Sequence, residues 1–365
     1  MMKSILMVHQ GSELYGSDRS FASSVESLSD SFEINIIIPE KGKIVNLLKP
    51  FSKFISYRPK GFLRKTSLKK SFFNAIMGIF SEVKYFFFEF KKFDIIYINT
   101  VVCFSAIIAC IFTIKKEKYI HIREFPSGFS MLVFKLLLFF SRAKLIYNSN
   151  ATSKAFSLDG KVIWNGVPAV KINKESQGYI GRRNVQFLII GRINSWKGHK
   201  FFLDSISNFK DNISVRIVGD VFGDQHFFLN ELKSIANQKQ LNIVFYGFKD
   251  DPSEHYNWAD YVIVPSTLPE PFGRVAIEAM SCATPVIAAD HGGLSEIVSH
   301  NKDGMLFAPN NRADLLKCLE KAISASSDQY EKMSVNAYNK YNNYFSENIY
   351  KNNFLSYIMV KKDSK

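Results

Sequence analysis

The chain lacks the features of a membrane-spanning or disulfide-bridged protein. No apolar run reaches the ~18 to 20 residues needed to cross a bilayer, since residues 101–114 and 131–140 are shorter and the second run contains Lys135. The four cysteines in 365 residues show no Cys-x-x-Cys spacing and lie in apolar or helical segments, which favours buried thiols over bridges or metal ligands. The first ten residues have no signal-peptide cleavage pattern. We therefore expect a protein of the reducing cytoplasm.

Acidic residues are scarce in the first half of the chain. Residues 1–170 contain 24 Lys and Arg against 12 Asp and Glu, whereas residues 171–365 contain 23 against 21. The imbalance is greatest in the basic-aromatic segment, residues 41–92, where 13 basic and two acidic residues are interleaved with Phe and Tyr. Such a segment suits an anionic membrane surface, because rings insert at the headgroup level while Lys pairs with lipid phosphate. It would also suit nucleic acid, or form a solvated basic face over an aromatic core.

Strands and helices alternate along the chain, which predicts an α/β fold with parallel sheets covered on both faces. Six apolar runs of the first half have the character of strands: SILMVHQ, INIIIPE, DIIYINT, KYIHIREF, AKLIYNSN and KVIWNGV. Six more follow in the second half: VQFLIIG, SVRIVGD, NIVFYGF, DYVIVPS, TPVIAAD and GMLFAP. The helices expected between these later strands lie near residues 199–209, 225–239, 273–282 and 312–324.

Two such series predict two Rossmann-like domains, residues 1–168 and 169–345. The polar, glycine-containing stretch 167–184 is predicted to link them. A last helical segment, 346–365, has no strand after it and is expected to cross back to the first domain.

Candidate binding residues follow the strands of the second domain, where open parallel sheets bind ligands. In GRINSWKG, Arg192 and Lys197 are two cations in a loop that leads to a helix, an arrangement that suits a diphosphate. Two solvated surface cations are the alternative. The later loops offer further residues able to flank a base or a sugar: Gly219, Asp220, Tyr246, Gly247 and Phe248.

The stretch EPFGRVAIE places a carboxylate at each end of a loop-to-helix transition. Phe272 and Gly273 are expected at the helix start, where a glycine permits close approach of a ligand to free N–H groups. Glu270 lies in the preceding loop, and Glu278 lies inside the helix on an otherwise apolar face. Because a carboxylate accepts two hydroxyl donors, one glutamate suits a ribose and the other a sugar hydroxyl.

The set GRINSWKG, IVGD, EPFGRVAIEAMSCATPVIA, DHGGLSEIV and DGMLFAP, in this order and spacing, resembles the retaining nucleotide-sugar glycosyltransferases of family 4. The two glutamates match that family's E-x7-E motif. The resemblance extends over about residues 160–310, with weaker matches in GSELYGSDRS and HIREFP. It implies the GT-B fold, in which the parallel sheets of an acceptor-binding and a donor-binding domain face a central cleft.

The resemblance also implies residue roles. Arg192 and Lys197 would neutralise the donor diphosphate, Glu278 would bind the ribose, and Glu270 would bind hydroxyls of the donor sugar. The expected donor-binding residues are Gly16, Gly191, Gly219, Asp220, Phe248, Pro271, Phe272, Gly273, Arg274 and Glu278.

The family's mechanism implies an oxocarbenium-like transition state and electrostatic stabilisation of the leaving diphosphate, with no metal or other cofactor. The absence of an Asp-x-Asp triplet agrees with metal independence. A His commonly ends a first-domain strand in this family. Here His121 and Arg123 share one face of a strand, and the role is open between them, with His121 as a packed strand residue the alternative.

These features favour a hexosyltransferase that moves a sugar from a UDP- or GDP-linked donor to a lipid-linked glycan. The expected setting is the inner face of a bacterial cell membrane, in O-antigen, capsule or other surface-polysaccharide synthesis, with the basic-aromatic segment on anionic lipid. A GT-B-fold nucleotide-sugar epimerase is the alternative enzyme, although it would not need E-x7-E. A nucleic-acid-binding protein would leave the two glutamates unexplained, and the sequence offers neither a stacking module nor a recognition helix.

Overall fold

A computed structural model of the chain describes residues 2–59, 72–172, 184–221 and 226–359, the side chains of 72–77 excepted. The chain forms two compact units, one of residues 1–166 with 347–365 and one of residues 167–346. Residues 60–71 of the basic-aromatic segment, and residues 173–183 of the predicted linker, lie outside the described residues.

The first unit is built on a seven-stranded parallel sheet. Its strands in chain order are β1 (Lys3–His9), β2 (Phe32–Ile38), β3 (Phe54–Tyr57), β4 (Ile95–Asn99), β5 (Glu117–Ile122), β6 (Lys144–Tyr147) and β7 (Gly160–Val162). They lie side by side in the order β3-β2-β1-β4-β5-β6-β7. At the centre, Val8 of β1 pairs with Ile37 of β2 on one side and Ile98 of β4 on the other.

Helices cover both faces of this sheet. The helices between its strands are α1 (Gly16–Leu28), α2 (Val45–Leu48), α3 (Phe72–Phe90), α4 (Phe104–Phe112), α5 (Phe129–Ser141) and α6 (Asn150–Phe156). Successive residues of a strand point to opposite faces. Ile5 and Met7 accordingly join the apolar cluster under α1, whereas Leu6 and Val8 join the cluster under α3, α4 and α5.

The second unit repeats this design with six strands. They are β8 (Val185–Ile190), β9 (Ile213–Val218), β10 (Ile243–Tyr246), β11 (Tyr261–Val264), β12 (Val286–Ala289) and β13 (Gly304–Phe307), and they lie in the order β10-β9-β8-β11-β12-β13, all parallel. Its helices are α7 (His199–Ser205), α8 (His226–Gln238), α9 (Ser253–Trp258), α10 (Arg274–Ser281), α11 (Leu294–Ile297), α12 (Arg312–Ile323) and α13 (Ser327–Lys340).

The last helix, α14 (Glu347–Met359), belongs to the first unit and packs against α1. The Tyr350 hydroxyl lies 2.6 Å from Ser24 Oγ, and Lys351 pairs with Glu26 at the adjoining surface. Across the described ranges, no helix combines the length and hydrophobicity needed to span a bilayer.

The prediction of an α/β fold with two Rossmann-like domains is confirmed, and all twelve predicted strands are present. The prediction omitted β3, because its four half-exposed residues lie at the sheet edge in a basic stretch. It extended the helix at 199–209 too far, since α7 ends at Ser205 and a separate 3-10 turn covers Ser207–Phe209. The four cysteines are free and buried, as expected.

Candidate active site

The strand order of the second sheet opens a crevice beside β8. The chain adds β9 and β10 on one side of β8 and returns to add β11, β12 and β13 on the other side. The connections that follow β8 and β11 therefore lead towards opposite edges of the sheet. The crevice lies between their first loops at the carboxyl ends of the strands, which is where open α/β sheets bind their ligands. These two loops, residues 191–198 and 265–273, carry seven of the fifteen site residues predicted from the sequence: Gly191, Arg192, Lys197, Glu270, Pro271, Phe272 and Gly273.

The two loops are joined by backbone contacts. The amide of Thr267 donates to the carbonyl of Trp196 at 2.8 Å, and the Thr267 hydroxyl donates to the same oxygen at 3.1 Å. Gly198 turns with a φ of 77°, and a Cβ there would lie 1.7 Å from the carbonyl oxygen of Pro265. Since glycine alone tolerates both the angle and the approach, Gly198 sets the spacing of the loops.

Lys197 and Glu270 form a buried ion pair between these loops. Lys197 ends the 3-10 turn Ser195–Lys197, in which the Asn194 side chain accepts from the Lys197 amide at 3.0 Å. Lys197 Nζ donates to Glu270 Oε1 at 2.8 Å, and the two side chains are 19% and 8% exposed. The Ser266 hydroxyl donates to the same oxygen. Within the described ranges, Oε2 therefore keeps acceptor capacity for a hydroxyl donor.

Glu270 is held in its ionised form. Burial alone would raise its pKa, but the Lys197 ammonium and the Ser266 hydroxyl outweigh burial and hold the pKa of Glu270 below its ordinary value. His291 follows β12, and its Nε2 lies 2.8 Å from the Ser266 carbonyl, to which it can only donate. Burial lowers the pKa of His291 despite this bond. A carboxylate, an ammonium and a neutral imidazole thus lie together at the crevice.

Two side chains fix the second glutamate. Arg274 Nε donates to Glu278 Oε1 at 2.8 Å from one turn earlier in α10, and the Tyr256 hydroxyl of α9 donates to Oε2 at 2.6 Å. Tyr256 is fully buried, and burial together with the Glu278 charge raises its pKa, so the hydroxyl stays protonated and donates. Because each carboxylate oxygen accepts about two hydrogen bonds, Glu278 keeps capacity for a pair of neighbouring hydroxyl groups.

The start of α10 is suited to an anion. Gly273 precedes the helix with a φ of 124°, and a Cβ there would lie 2.7 Å from a methyl carbon of Leu294. Arg274 Nη1 is buried and has no hydrogen-bond partner among the described residues, which is costly for a charged donor. Phe272 is buried and packs edge-on against Phe345 at 6.3 Å, and Pro271 before it is partly buried. The segment is thus held by the packing of Phe272, and Arg274 Nη1 is a donor that could bind an anion.

Gly191 and Gly219 bring the ends of β8 and β9 into contact. Their φ angles are 135° and 142°, and a Cβ on Gly219 would lie 1.9 Å from the carbonyl oxygen of Gly191. The Asp220 carbonyl accepts from the Ile193 amide at 2.9 Å. Arg192, between these anchors, is exposed. The loop after β8 is therefore held at both ends while its arginine faces solvent.

Phe248 follows β10, the edge strand, and its ring is half-exposed. The strand β9 lies between β10 and β8, and a role of Phe248 in donor binding stays a prediction.

Arg123 lies in a buried polar network of the first unit. It follows β5 and donates from Nε to Asn99 Oδ1 at 2.6 Å and from Nη1 to Asn165 Oδ1. Asn99 ends β4 and approaches His9 Nδ1 at 2.8 Å through Nδ2. The guanidinium is thereby tied to the carboxyl ends of two central strands.

His121 belongs to the same network but faces the core. Tyr97 Oη and Arg123 Nη2 lie 2.8 and 3.2 Å from its Nδ1, and its ring stacks on Phe354 at 6.2 Å. Burial and the Arg123 charge lower its pKa, so the imidazole is neutral, and its Nε2 has no partner among the described residues. This is the packing of a core residue, and the choice between His121 and Arg123 stays a prediction.

Gly16 begins α1, beside a buried pair of side chains. Asp18 accepts from the Tyr15 amide at 2.9 Å and from His9 Nε2 at 2.8 Å. A Cβ on Gly11 would lie 1.8 Å from Asp18 Oδ1. The loop before α1 is therefore closely packed at Gly11, whereas Tyr15 and Gly16 are exposed.

Three site residues were not identified from the sequence: Ser266, His291 and Tyr256. Ser266 and His291 each follow the carboxyl end of a buried strand, in YVIVPS and DHGG, and that position was the available signal. Tyr256 offered no signal, since only tertiary packing brings its hydroxyl to Glu278.

Comparison with known sequences finds a family match within the second unit. Residues 172–340 match the family model described as glycosyl transferases group 1. An uncharacterised glycosyltransferase of Methanocaldococcus jannaschii is 30% identical over 197 residues, which are 48% of this chain and 50% of that protein. The chain spans half or less of the length of the curated relatives that it matches.

Solved structures match nearly the whole chain. The Anabaena protein HepE, in complex with UDP and glucose, has a TM-score of 0.80 at 22% identity and covers 98% of this chain and 100% of its own. A glycosyltransferase from Rickettsia africae has a TM-score of 0.81 at 22% identity and covers 100% of both chains. At such identities the likeness shows the fold. The chain thus has the GT-B glycosyltransferase fold, with residues 172–340 matching the group 1 glycosyl transferases.

Proposed function

We propose that the chain is a retaining hexosyltransferase that takes a sugar from a UDP- or GDP-linked donor held by its second unit. The observation that carries this proposal is the pair of glutamates beside β8. Glu270 is ion-paired with Lys197, Glu278 is fixed by two donors eight residues later, and both keep acceptor capacity. The family match over residues 172–340, and the UDP and glucose bound by HepE, support it.

The cations are assigned to the diphosphate. Lys197 and Arg192 share one loop, and a leaving diphosphate gains negative charge as its bond to the sugar breaks. The unpartnered Arg274 Nη1 and the glycine before α10 add a donor and room for a phosphate oxygen. Because Gly191 and Gly219 approach each other closely and have no side chains, the backbone at the ends of β8 and β9 is accessible to a phosphate.

The glutamates are assigned to hydroxyl groups. Glu278 would accept from the two ribose hydroxyls, since Arg274 and Tyr256 hold its two oxygens in place. Glu270 would accept from hydroxyls of the transferred sugar through Oε2. Phe248 and Asp220 would complete the donor site beyond β9 and β10.

The proposed reaction breaks the bond between the anomeric carbon and the diphosphate oxygen and forms a bond to the acceptor oxygen on the same face of the sugar. The acceptor proton passes to the leaving phosphate, so the charge balances. Lys197, Arg192 and Arg274 supply positive charge to the leaving group, and metal independence is part of this proposal. Arg123 or His121, both of the first unit, would take the role of the histidine that commonly ends a first-domain strand in family 4.

The acceptor is proposed to be a lipid-linked glycan in the synthesis of a bacterial surface polysaccharide. The basic-aromatic segment, residues 41–92, would bring the first unit to an anionic membrane face. This would place the protein on the inner side of the cell membrane.

The test is release of nucleoside diphosphate from a panel of UDP- and GDP-sugars, with the anomeric configuration of the product followed by NMR. Lys197→Ala and Arg192→Ala should each lower turnover by roughly 10², the scale of losing a transition-state charge contact. Lys317→Ala, at an exposed lysine on α12, is the matched control and should turn over normally. Normal rates in both site variants, or an inverted product, would refute the proposal.

A further inference from the structure

The outer face of α5 is unusually apolar for a surface. Five large side chains of this helix are 49–80% exposed: Phe129, Leu132, Leu136, Phe139 and Phe140. At about 100° per residue they fall within one arc of about 100°. Exposed apolar residues scattered singly need no explanation, but a contiguous row of this size marks an interaction surface.

Packing in the core does not explain why these five side chains are apolar. Met131, Phe134, Leu137 and Leu138, on the opposite side of α5, pack into the apolar cluster beneath the helix. The helix is therefore apolar on both sides, and only the inner side has a partner among the described residues. At the end of α4, which contacts α5, Phe112 and Ile114 are 60% and 66% exposed and widen the patch.

The charged residues in the segment that contains α5 have one sign. Between Glu124 and Asp159 the sequence contains four basic residues and no acidic one. Lys135 lies within α5, and Arg142 follows its last turn as an exposed residue. Lys115 extends the positive border beyond Ile114, where it is exposed.

We propose that this α5 face docks on an anionic lipid surface. A row of apolar side chains bordered by Lys and Arg matches a helix that lies in the membrane interface, with rings and leucines among the acyl chains and cations at lipid phosphates. The helix is about 20 Å long, which is too short to cross a hydrocarbon core of about 30 Å. It therefore lies along the surface.

Charge favours lipid over a second copy of the chain. A two-fold dimer would place this face against itself, so that Lys135 and Arg142 would meet like charges, and the sequence between Glu124 and Asp159 supplies no acidic partner. An anionic bilayer meets the same cations with opposite charge.

This inference deepens the proposed function by assigning α5 to the membrane contact, in addition to residues 41–92. It rests on the proposed function only in giving the contact a purpose, because lipid binding is measured without donor or acceptor. Loss of one activity without the other therefore shows which proposal has failed.

The experiment is flotation of the full chain with vesicles of phosphatidylcholine and phosphatidylglycerol. In Phe129→Ser/Phe139→Ser, partition should fall on the order of a hundredfold, about tenfold for each large side chain removed. The control is Phe227→Ser/Val335→Ser, which removes side chains 70% and 51% exposed on the second unit and should bind as wild type. Donor binding and unfolding temperature should match wild type in both.

A second arm tests the cations. Lys135→Gln/Arg142→Gln should weaken binding to the anionic vesicles by on the order of tenfold and leave binding to pure phosphatidylcholine unchanged. No vesicle binding by wild type, or equal loss in the test and control doubles, would overturn the proposal. A wild-type dimer that lacks lipid binding and dissociates in Phe129→Ser/Phe139→Ser would assign the face to a second copy instead.

Discussion

Replacing Lys197 by Met tests the ion pair at the centre of the site. Methionine keeps the length and apolar body of the side chain but removes the ammonium. Glu270 is then left 8% exposed, with the Ser266 hydroxyl as its remaining donor. Removing one partner of a buried pair costs about 3 to 5 kcal/mol, and because Lys197 itself is 19% exposed we expect the lower end, about 3 kcal/mol.

The cost should depend on pH in a defined direction. In the wild type the pKa of Glu270 lies below its ordinary value of 4.5, so the pair stabilises the fold above that pH and loses this effect as the pH falls through the folded-state pKa. In Lys197→Met, burial, already the largest single influence in the wild type, is no longer outweighed by the ammonium and raises the pKa of Glu270, so acidification relieves the buried charge. The difference between the two proteins should therefore shrink from pH 7 to pH 4.

The assay is urea denaturation at both pH values, with Lys197→Met/Glu270→Gln as the matched double. The double should recover most of the stability, since no charge is left uncompensated. A single variant within about 0.5 kcal/mol of wild type at pH 7, or a deficit equal at both pH values, would refute this reasoning.

Three further predictions concern single positions around the site. Tyr256→Phe removes one donor to Glu278 and should raise the dissociation constant of the bound nucleotide about tenfold with an unchanged circular dichroism spectrum, whereas unchanged affinity would mean that the hydroxyl does not position the carboxylate. Burial lowers the pKa of His199 to about 3 from 6.5, so the fold should lose stability as the pH falls from 6.5 towards 3, and His199→Leu should reduce that loss by about 4 kcal/mol; denaturation curves of equal pH slope would contradict this. Gly198→Ala should cost about 2 to 4 kcal/mol in urea denaturation, because its Cβ would strike a backbone carbonyl, whereas Gly247→Ala has open space and should lie within about 0.5 kcal/mol of wild type.

The fold could be predicted from the sequence because its signals are local and repeated. Buried parallel strands require continuous apolar runs, and residues 95–98 and 261–264 are such runs at the centres of the two sheets. The four residues of β3 carry no such signal, since an edge strand buries less of its side chains. The polar helix α13 also lacks a clear apolar pattern, because only a narrow stripe of its surface is buried.

The site could be predicted in part. The sequence shows which residues follow a strand, but it does not show which side chains of two different loops contact each other. Lys197 and Glu270 were identified separately, but their direct bond depends on two loops meeting across β8 and β11. Tyr256 was missed because it lies in α9, before β11, whereas Glu278 lies in α10, after that strand. Phe248 stays a prediction that rests only on its place after β10, the edge strand of the sheet.

Calorimetric titration with UDP- and GDP-sugars, without added metal, tests the central claim most directly. The account predicts saturable binding of one of them, weakened by ten- to a hundredfold in Glu278→Gln, the scale of hydrogen bonds to a charged group. Glu320→Gln, at an exposed glutamate of α12, should bind as wild type. A folded chain that binds none of these donors, or a Glu278→Gln variant that binds them normally, would contradict the account.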